Sequence, residues 1–145
     1  MNDIEIIKTD WQSHQQQLTD IRYQVFVVEQ QVPVSLEIDD QDPKAIHWLV
    51  INKSINKAVA TARMLQNGHI GRMAVLPAFR HKKIGSELLN TIINNARKQG
   101  LPCLFLNAQT DAQGFYEKMA FTAEGDIFID AGIPHIRMSL DLKCS

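Results

Sequence analysis

Ile70–Gln99 reads IGRMAVLPAFRHKKIGSELLNTIINNARKQ. Three segments follow one another in it. Ile70–Val75 alternates in character and ends against Pro77, which predicts a strand. Ala78–Lys83 is a short basic turn, with Arg80, His81, Lys82 and Lys83 in a row. Then Ile84, Leu88, Leu89, Ile92, Ile93 and Ala96 recur on one helical face, and Gly100 with Pro102 beyond it ends the helix. A strand that passes through a cationic turn into a helix N-terminus builds an anion site. The first helical turn has backbone N–H groups without intrahelical acceptors, and the peptide dipoles add roughly half a positive charge there. Gly85 lets a ligand approach the backbone closely, and Ser86 adds a hydroxyl. Physical chemistry points to phosphate or pyrophosphate at Arg80, His81, Lys82, Lys83, Ile84, Gly85 and Ser86. The competing reading is a turn that is basic only because it is exposed.

The rest of the composition narrows the class. The chain has 145 residues, 45% hydrophobic and 21% charged, which predicts one globular domain over 1–145. A formal net charge of −1 argues against a general nucleic-acid binder, so the basic turn is a local feature. No apolar run approaches the roughly 20 residues that span a bilayer. The start, MNDIEIIKTD, lacks the layout of a signal peptide. Two cysteines without CxxC spacing fit a reducing cytoplasm, with Cys103 expected as a buried strand residue and Cys144 as a free tail thiol. The five histidines and two cysteines show no metal-ligand spacing, and no metal is expected.

Along the chain, Ile4–Lys8 alternates and predicts a strand. Gln12–Val28 predicts a helix with Leu18, Ile21, Val25 and Val28 on one face, Thr19–Asp20 offering an alternative start. Gln30–Pro43 is irregular and acidic. His47–Asn52 and Ala58–Leu65 predict a hairpin around Ser54–Lys57. Asn67–Gly68 is the strongest short turn signal and leads into the Ile70 strand. Cys103–Ala108 predicts a buried strand and Ala112–Met119 a short helix. Ile127–Asp130 and Ile136–Leu142 predict two strands joined by the turn Ala131–Pro134.

Arg72–Leu89, RMAVLPAFRHKKIGSELL, resembles the cofactor motif of the GCN5-related N-acetyltransferases. In that family the strand is followed by Arg/Gln-x-x-Gly-x-Gly/Ala, whose amides hold the pyrophosphate of acetyl-coenzyme A. Arg80 and Gly85 match; Lys83 stands at the first glycine, and His81 is unusual. Gln109–Phe121, QTDAQGFYEKMAF, resembles the family's Asn-x-x-Ala-x-x-Phe/Tyr-Tyr-x-Lys-x-Gly-Phe, with Gln109 for Asn and Ala120 for Gly. The resemblance covers nearly the whole chain. It implies an α/β fold with a mixed sheet of six to seven strands, flanked by helices, whose central strands splay to admit acetyl-coenzyme A. It implies donor contacts at Met73, Ala74, Val75, Gln109 and Phe115, besides the basic turn, with the oxyanion against backbone N–H near Val75. It makes Tyr116 the general acid for the leaving thiolate. A phenol of ordinary pKa about 10 is protonated at neutral pH; a core aromatic bonded to backbone is the alternative.

Arg22–Pro33, Glu37–Asp42 and Asp130–His135 resemble the ElaA-like branch of the family, where the first helix and loop close over the acceptor. The carboxylates Glu29, Glu37, Asp39, Asp40 and Asp42 are then placed to hold a cationic amine. Glu29 or Glu37 would take its proton, and for Asp40 and Asp42 a solvated turn is the other reading. An attacking amine must be neutral, and a free alkylammonium has pKa about 10.4, so a base is needed. His135 is a further candidate and His69 another, because histidine titrates near neutrality. No nucleophile motif such as GxSxG is present, so direct transfer is expected rather than a covalent enzyme intermediate. The implied partner is a primary amine: a spermidine-like amine, an aminosugar, a protein lysine or a protein N-terminus. The last strands leave room for a homodimer. Two rivals share the sequence features. An acyl-homoserine-lactone synthase would use the same Arg22-x-x-Val25-Phe26 and Glu37-x-Asp39-x-x-Asp42 pattern, and a coenzyme-A-binding regulatory module would account for Lys83, Gln109 and Ala120.

Overall fold

Seven strands form two sheets in the computed structural model, which describes residues 3–143. β1 (Ile4–Thr9), β2 (Ile46–Asn52), β3 (Lys57–Met64) and β4 (Ile70–Val75) are antiparallel neighbours in chain order. β5 (Cys103–Gln109), β6 (Thr122–Asp130) and β7 (Ile133–Asp141) form the second sheet in the order β5-β7-β6. One parallel bridge, His69 to Phe105, joins the sheets where β4 and β5 begin. Phe105 N–H also donates to Gly68 O at 3.1 Å. Beyond that seam the two parallel strands separate, and their C-terminal ends form the walls of a cleft. The splayed sheet expected from the sequence is therefore present.

Gly68 makes the seam possible. Its φ is +92°, and a Cβ there would stand 2.7 Å from Cys103 O, so no side chain fits. α3 (Ile84–Lys98) packs the predicted stripe inward: Ile84, Leu88, Leu89, Ile92, Ile93 and Ala96 join Leu104, Leu106 and Met138 in the main core. α1 (Trp11–Arg22) starts at Asp10, whose carboxylate accepts from Ser13 N–H at 2.8 Å. Its residues Leu18 and Ile21, with Val25, cover the opposite face of the first sheet at Leu49 and Ala74. α4 (Gln113–Lys118) follows β5.

Three expectations are corrected. Val28 is 54% exposed. Residues Tyr23–Glu29 continue α1 as a π-helix, whose wider turn shifts the phase of the apolar stripe after Val25. Cys103 is exposed, because Leu104, Leu106 and Ala108 take the inward positions of β5 and alternation turns Cys103 outward. The acidic stretch is not irregular throughout: it holds α2 (Val34–Glu37) and a 3₁₀ turn at Asp42–Lys44. Cys144 lies outside the described residues.

Candidate active site

β4 delivers the first wall of the cleft. Leu76 N–H bonds to Val59 O, and alternation along an antiparallel strand then turns the N–H and C=O of Val75 to the opposite edge, the one facing β5. Val75 O accepts there from Arg80 Nε at 2.9 Å. The basic turn follows a 3₁₀ turn at Pro77–Phe79. His81 and Lys83 both adopt left-handed backbone, with φ of 64° and 67°. Lys83 thus keeps the conformation that a glycine would supply, at a cost of about 1–2 kcal/mol. Ala120 at φ 77° does the same at the second glycine position of the resemblance.

Lys83 is the N-cap of α3 and gives no side-chain cap. The N–H groups of Ile84, Gly85 and Ser86 therefore lack a side-chain cap, a helix start suited to an anion. The Ile84 side chain itself is core, so Ile84 contributes backbone only. Lys82 folds its ammonium 5.6 Å over the Phe79 ring. Gly85 stands on Phe115: a Cβ there would be 3.5 Å from the ring edge.

The second wall ends in Gln109 and continues into α4. Tyr116 is edge-on to Phe115 and Phe121, with ring centroids 5.0 and 6.0 Å away. Its hydroxyl lies 3.8 Å from the sulfur of Met73 on β4. Burial pushes the phenol up to about 12, so it stays protonated throughout the neutral range. Met73 faces this aromatic group, whereas Ala74 faces the α1 side.

The acceptor-side residues divide sharply. Glu37 is buried and held by Arg22, which also forms a bidentate pair with Asp42 at 2.8 and 3.0 Å. Arg63 bridges Asp42 at 2.9 Å and Asp39 at 2.8 and 2.7 Å. Arg72, at φ 51° within β4, donates to Glu37 O and Asp39. The Arg63 hydrogen bond holds the Asp39 carboxyl down at about 2. For Asp42 burial acts upward, but Arg22 and Arg63 overcome it and hold the group below the ordinary range. Three acids expected near an amine are thus bound by three arginines of α1, β3 and β4, and Asp42 is no solvated turn residue. Arg63 carried no signal in the sequence. Arg72 and Gln30 lie within the stretches that resemble the family but had no role assigned, and Arg22 entered through resemblance, in the Arg22-x-x-Val25-Phe26 pattern.

Glu29 sits apart from that cluster. Both its oxygens are 2.6 Å from the Nη atoms of Arg80, and this hydrogen bonding holds its carboxyl below the usual range. His135 on β7 lies opposite Gln109 on one side and Phe128 on the other. Its Nδ1 is 2.7 Å from Ile133 O, which only accepts, so Nδ1 carries the proton and Nε2 is the basic atom of the neutral ring. His69 stacks on Phe105 at 4.7 Å; burial, then Arg63, Arg137 and Arg72, push its pKa down.

A split sheet with a helix start suited to an anion at one wall and a half-buried phenol at the other is an arrangement fit for acyl transfer. The model of the acetyltransferase (GNAT) domain matches residues 5–142. The chain is 33% identical over 133 residues to the uncharacterized N-acetyltransferase YjcF of Bacillus subtilis, covering 88% of this chain and 95% of that one. It is 30% identical over 133 residues to the protein ElaA of Escherichia coli, 86% of each. The crystal structure of ElaA superposes with a TM-score of 0.84 over 94% of this chain and 98% of that one. An acyl-CoA N-acyltransferase from Pseudomonas aeruginosa superposes at 0.82, with 26% identity over 94% and 98%. The chain belongs to the GCN5-related N-acetyltransferase family, in its ElaA-like branch, and is an N-acetyltransferase. Among the described residues no helix is long and apolar enough to cross a membrane.

Proposed function

We propose that this enzyme moves an acetyl group from acetyl-coenzyme A directly to a primary amine, of a small molecule or a protein, within a ternary complex in the cytoplasm. One observation carries the reading: Gly85 of the anion-binding turn rests on Phe115, and the next residue, Tyr116, reaches Met73. The pyrophosphate donors and the phenol are thereby parts of one packed unit. Arg80 and the N–H groups of Ile84, Gly85 and Ser86 hold the donor's pyrophosphate, with the turn from His81 to Lys83 around them. Gln109 and Val75 flank its pantetheine arm.

The amine nitrogen attacks the thioester carbonyl carbon. A C–N bond forms, the C–S bond breaks, the amine loses a proton and the sulfur leaves as thiolate. Val75 N–H, turned toward the cleft, stabilises the oxyanion. Tyr116 donates to the developing thiolate. Its phenol at about 12 is roughly 3.5 units weaker as an acid than an ordinary thiol, so complete loss of its proton lies about 5 kcal/mol uphill. Tyr116 therefore acts by stabilising sulfur charge through a hydrogen bond, and solvent supplies the final proton. Of the candidate bases, Glu29 and Glu37 are engaged by arginines, whereas His135 presents Nε2. His135 takes the amine proton. A homodimer through the edge strand β6 is compatible with this site.

The test is release of thiol from acetyl-coenzyme A with polyamines, aminosugars and lysine peptides as acceptors. Release that requires an amine and falls at least tenfold in His135→Asn is expected. An intact thioester with every amine would reject the reading.

A further inference from the structure

Two consecutive side chains cross the open end of the cleft. Glu29 ends the π-helix and holds both Nη atoms of Arg80, just beyond β4, at 2.6 Å. Gln30 accepts from Gln109 Nε2, at the end of β5, at 2.9 Å. The backbone that carries them is pinned. Gln30 N–H donates to Val25 O at 3.0 Å, and Val32 N–H to Phe26 O at 2.8 Å. Arg80 and Gln109 stand on opposite walls, and neighbouring residues of one segment engage both.

We propose that Glu29 and Gln30 form a strap that sets donor affinity: Glu29 occupies on Arg80 the place of the donor's pyrophosphate, and Gln30 holds Gln109 until the donor takes it. This rests on the acetyl-coenzyme A reading above. A carboxylate and a pair of phosphate oxygens offer the same two acceptors to a guanidinium fork, so they compete for it. Arg80 keeps its aim during the exchange, because Nε remains on Val75 O at 2.9 Å. The exchange frees the end of the helical segment that faces the acceptor. Donor affinity is thus tuned from the acceptor side of the cleft.

Calorimetric titration of coenzyme A into the wild type, Glu29→Gln, Gln30→Ala, Arg80→Ala and the Glu29→Gln/Arg80→Ala double variant tests this, with pantetheine as a second ligand. Glu29→Gln is expected to bind coenzyme A about fivefold more tightly, the worth of releasing a half-exposed ion pair. The gain shrinks at high salt. It is absent for pantetheine, which has no pyrophosphate, and absent in the Arg80→Ala background. Gln30→Ala tightens both ligands. Coenzyme A bound by the wild type but no better, or worse, by Glu29→Gln overturns the strap alone, since Glu29 would then orient Arg80. Coenzyme A bound by none of the proteins defeats the donor reading and the strap together.

Discussion

The phenol oxygen of Tyr116 stands 3.8 Å from the sulfur of Met73, so a residue that follows β5 closes onto β4, the other wall of the cleft. Among the described residues the partner of this hydroxyl is the Met73 thioether, a weak acceptor. The hydroxyl is thus available to a stronger acceptor arriving between the walls. Tyr116→Phe should retain the fold and donor binding and lower kcat about 10²-fold or more. Its pH profile carries a second signature. With the phenol at about 12, the wild type should show no loss of kcat from phenol ionisation below about pH 11. A kcat unchanged in Tyr116→Phe for every accepted amine removes Tyr116 from the reaction.

Lys83 holds φ 67° without being glycine. Replacing it by glycine relieves about 1–2 kcal/mol of backbone strain, against the greater freedom glycine has when unfolded. The net expected gain is about 0.5–1 kcal/mol, a rise of a few degrees in Tm. Thermal denaturation decides it, and a fall in Tm would show that the lysine side chain makes a contact worth more than the strain.

Glu37 offers a contrast between two roles. If it clamps the loop through Arg22, Glu37→Gln should cost about 1–3 kcal/mol of stability and leave the limbs of the pH–rate profile in place. A stable variant that has lost a limb would restore Glu37 as a base.

The Arg63–Asp39 pair gives an acid signature. The Asp39 carboxyl is lowered from its ordinary 3.8 to about 2 in the folded state. A depressed folded pKa stabilises the fold above the unfolded value and loses that stabilisation as pH falls through the folded one. Asp39 should therefore contribute about 2 kcal/mol above pH 4, fading between about pH 4 and pH 2. Urea melts of the wild type and Asp39→Asn should converge in that window, and a constant gap between them would refute the pairing.

Local period made most of this fold legible. α3 repeats at 3.6 residues and β5 alternates buried and outward positions, whereas β2 and β3 are continuous buried runs. The turn at Asn67–Gly68 was legible as a local dipeptide signal, and the structure adds the reason for its glycine, the close approach to Cys103. What escaped is long-range or depends on phase. Arg22, Arg63 and Arg72 meet Glu37, Asp39 and Asp42 across 15 to 35 residues, and no period links them. The acidic stretch therefore looked free. Val28 was misplaced because a π-turn leaves no mark in an apolar pattern read at 3.6. In the site, the basic turn and the tyrosine were legible as chemistry, whereas the engagement of Arg80 by Glu29 and of Gln109 by Gln30 required coordinates.

The most direct test of the central claim is thermal unfolding with and without acetyl-coenzyme A, in the wild type and in Arg80→Ala. At a hundred times its dissociation constant the donor should stabilise the wild type by about 2.7 kcal/mol, a shift of roughly 5–10 °C. Most of that shift should vanish in Arg80→Ala at the same concentration. No shift in the wild type with either acetyl-coenzyme A or coenzyme A would contradict the account, because the turn from Arg80 to Ser86 would then hold no donor.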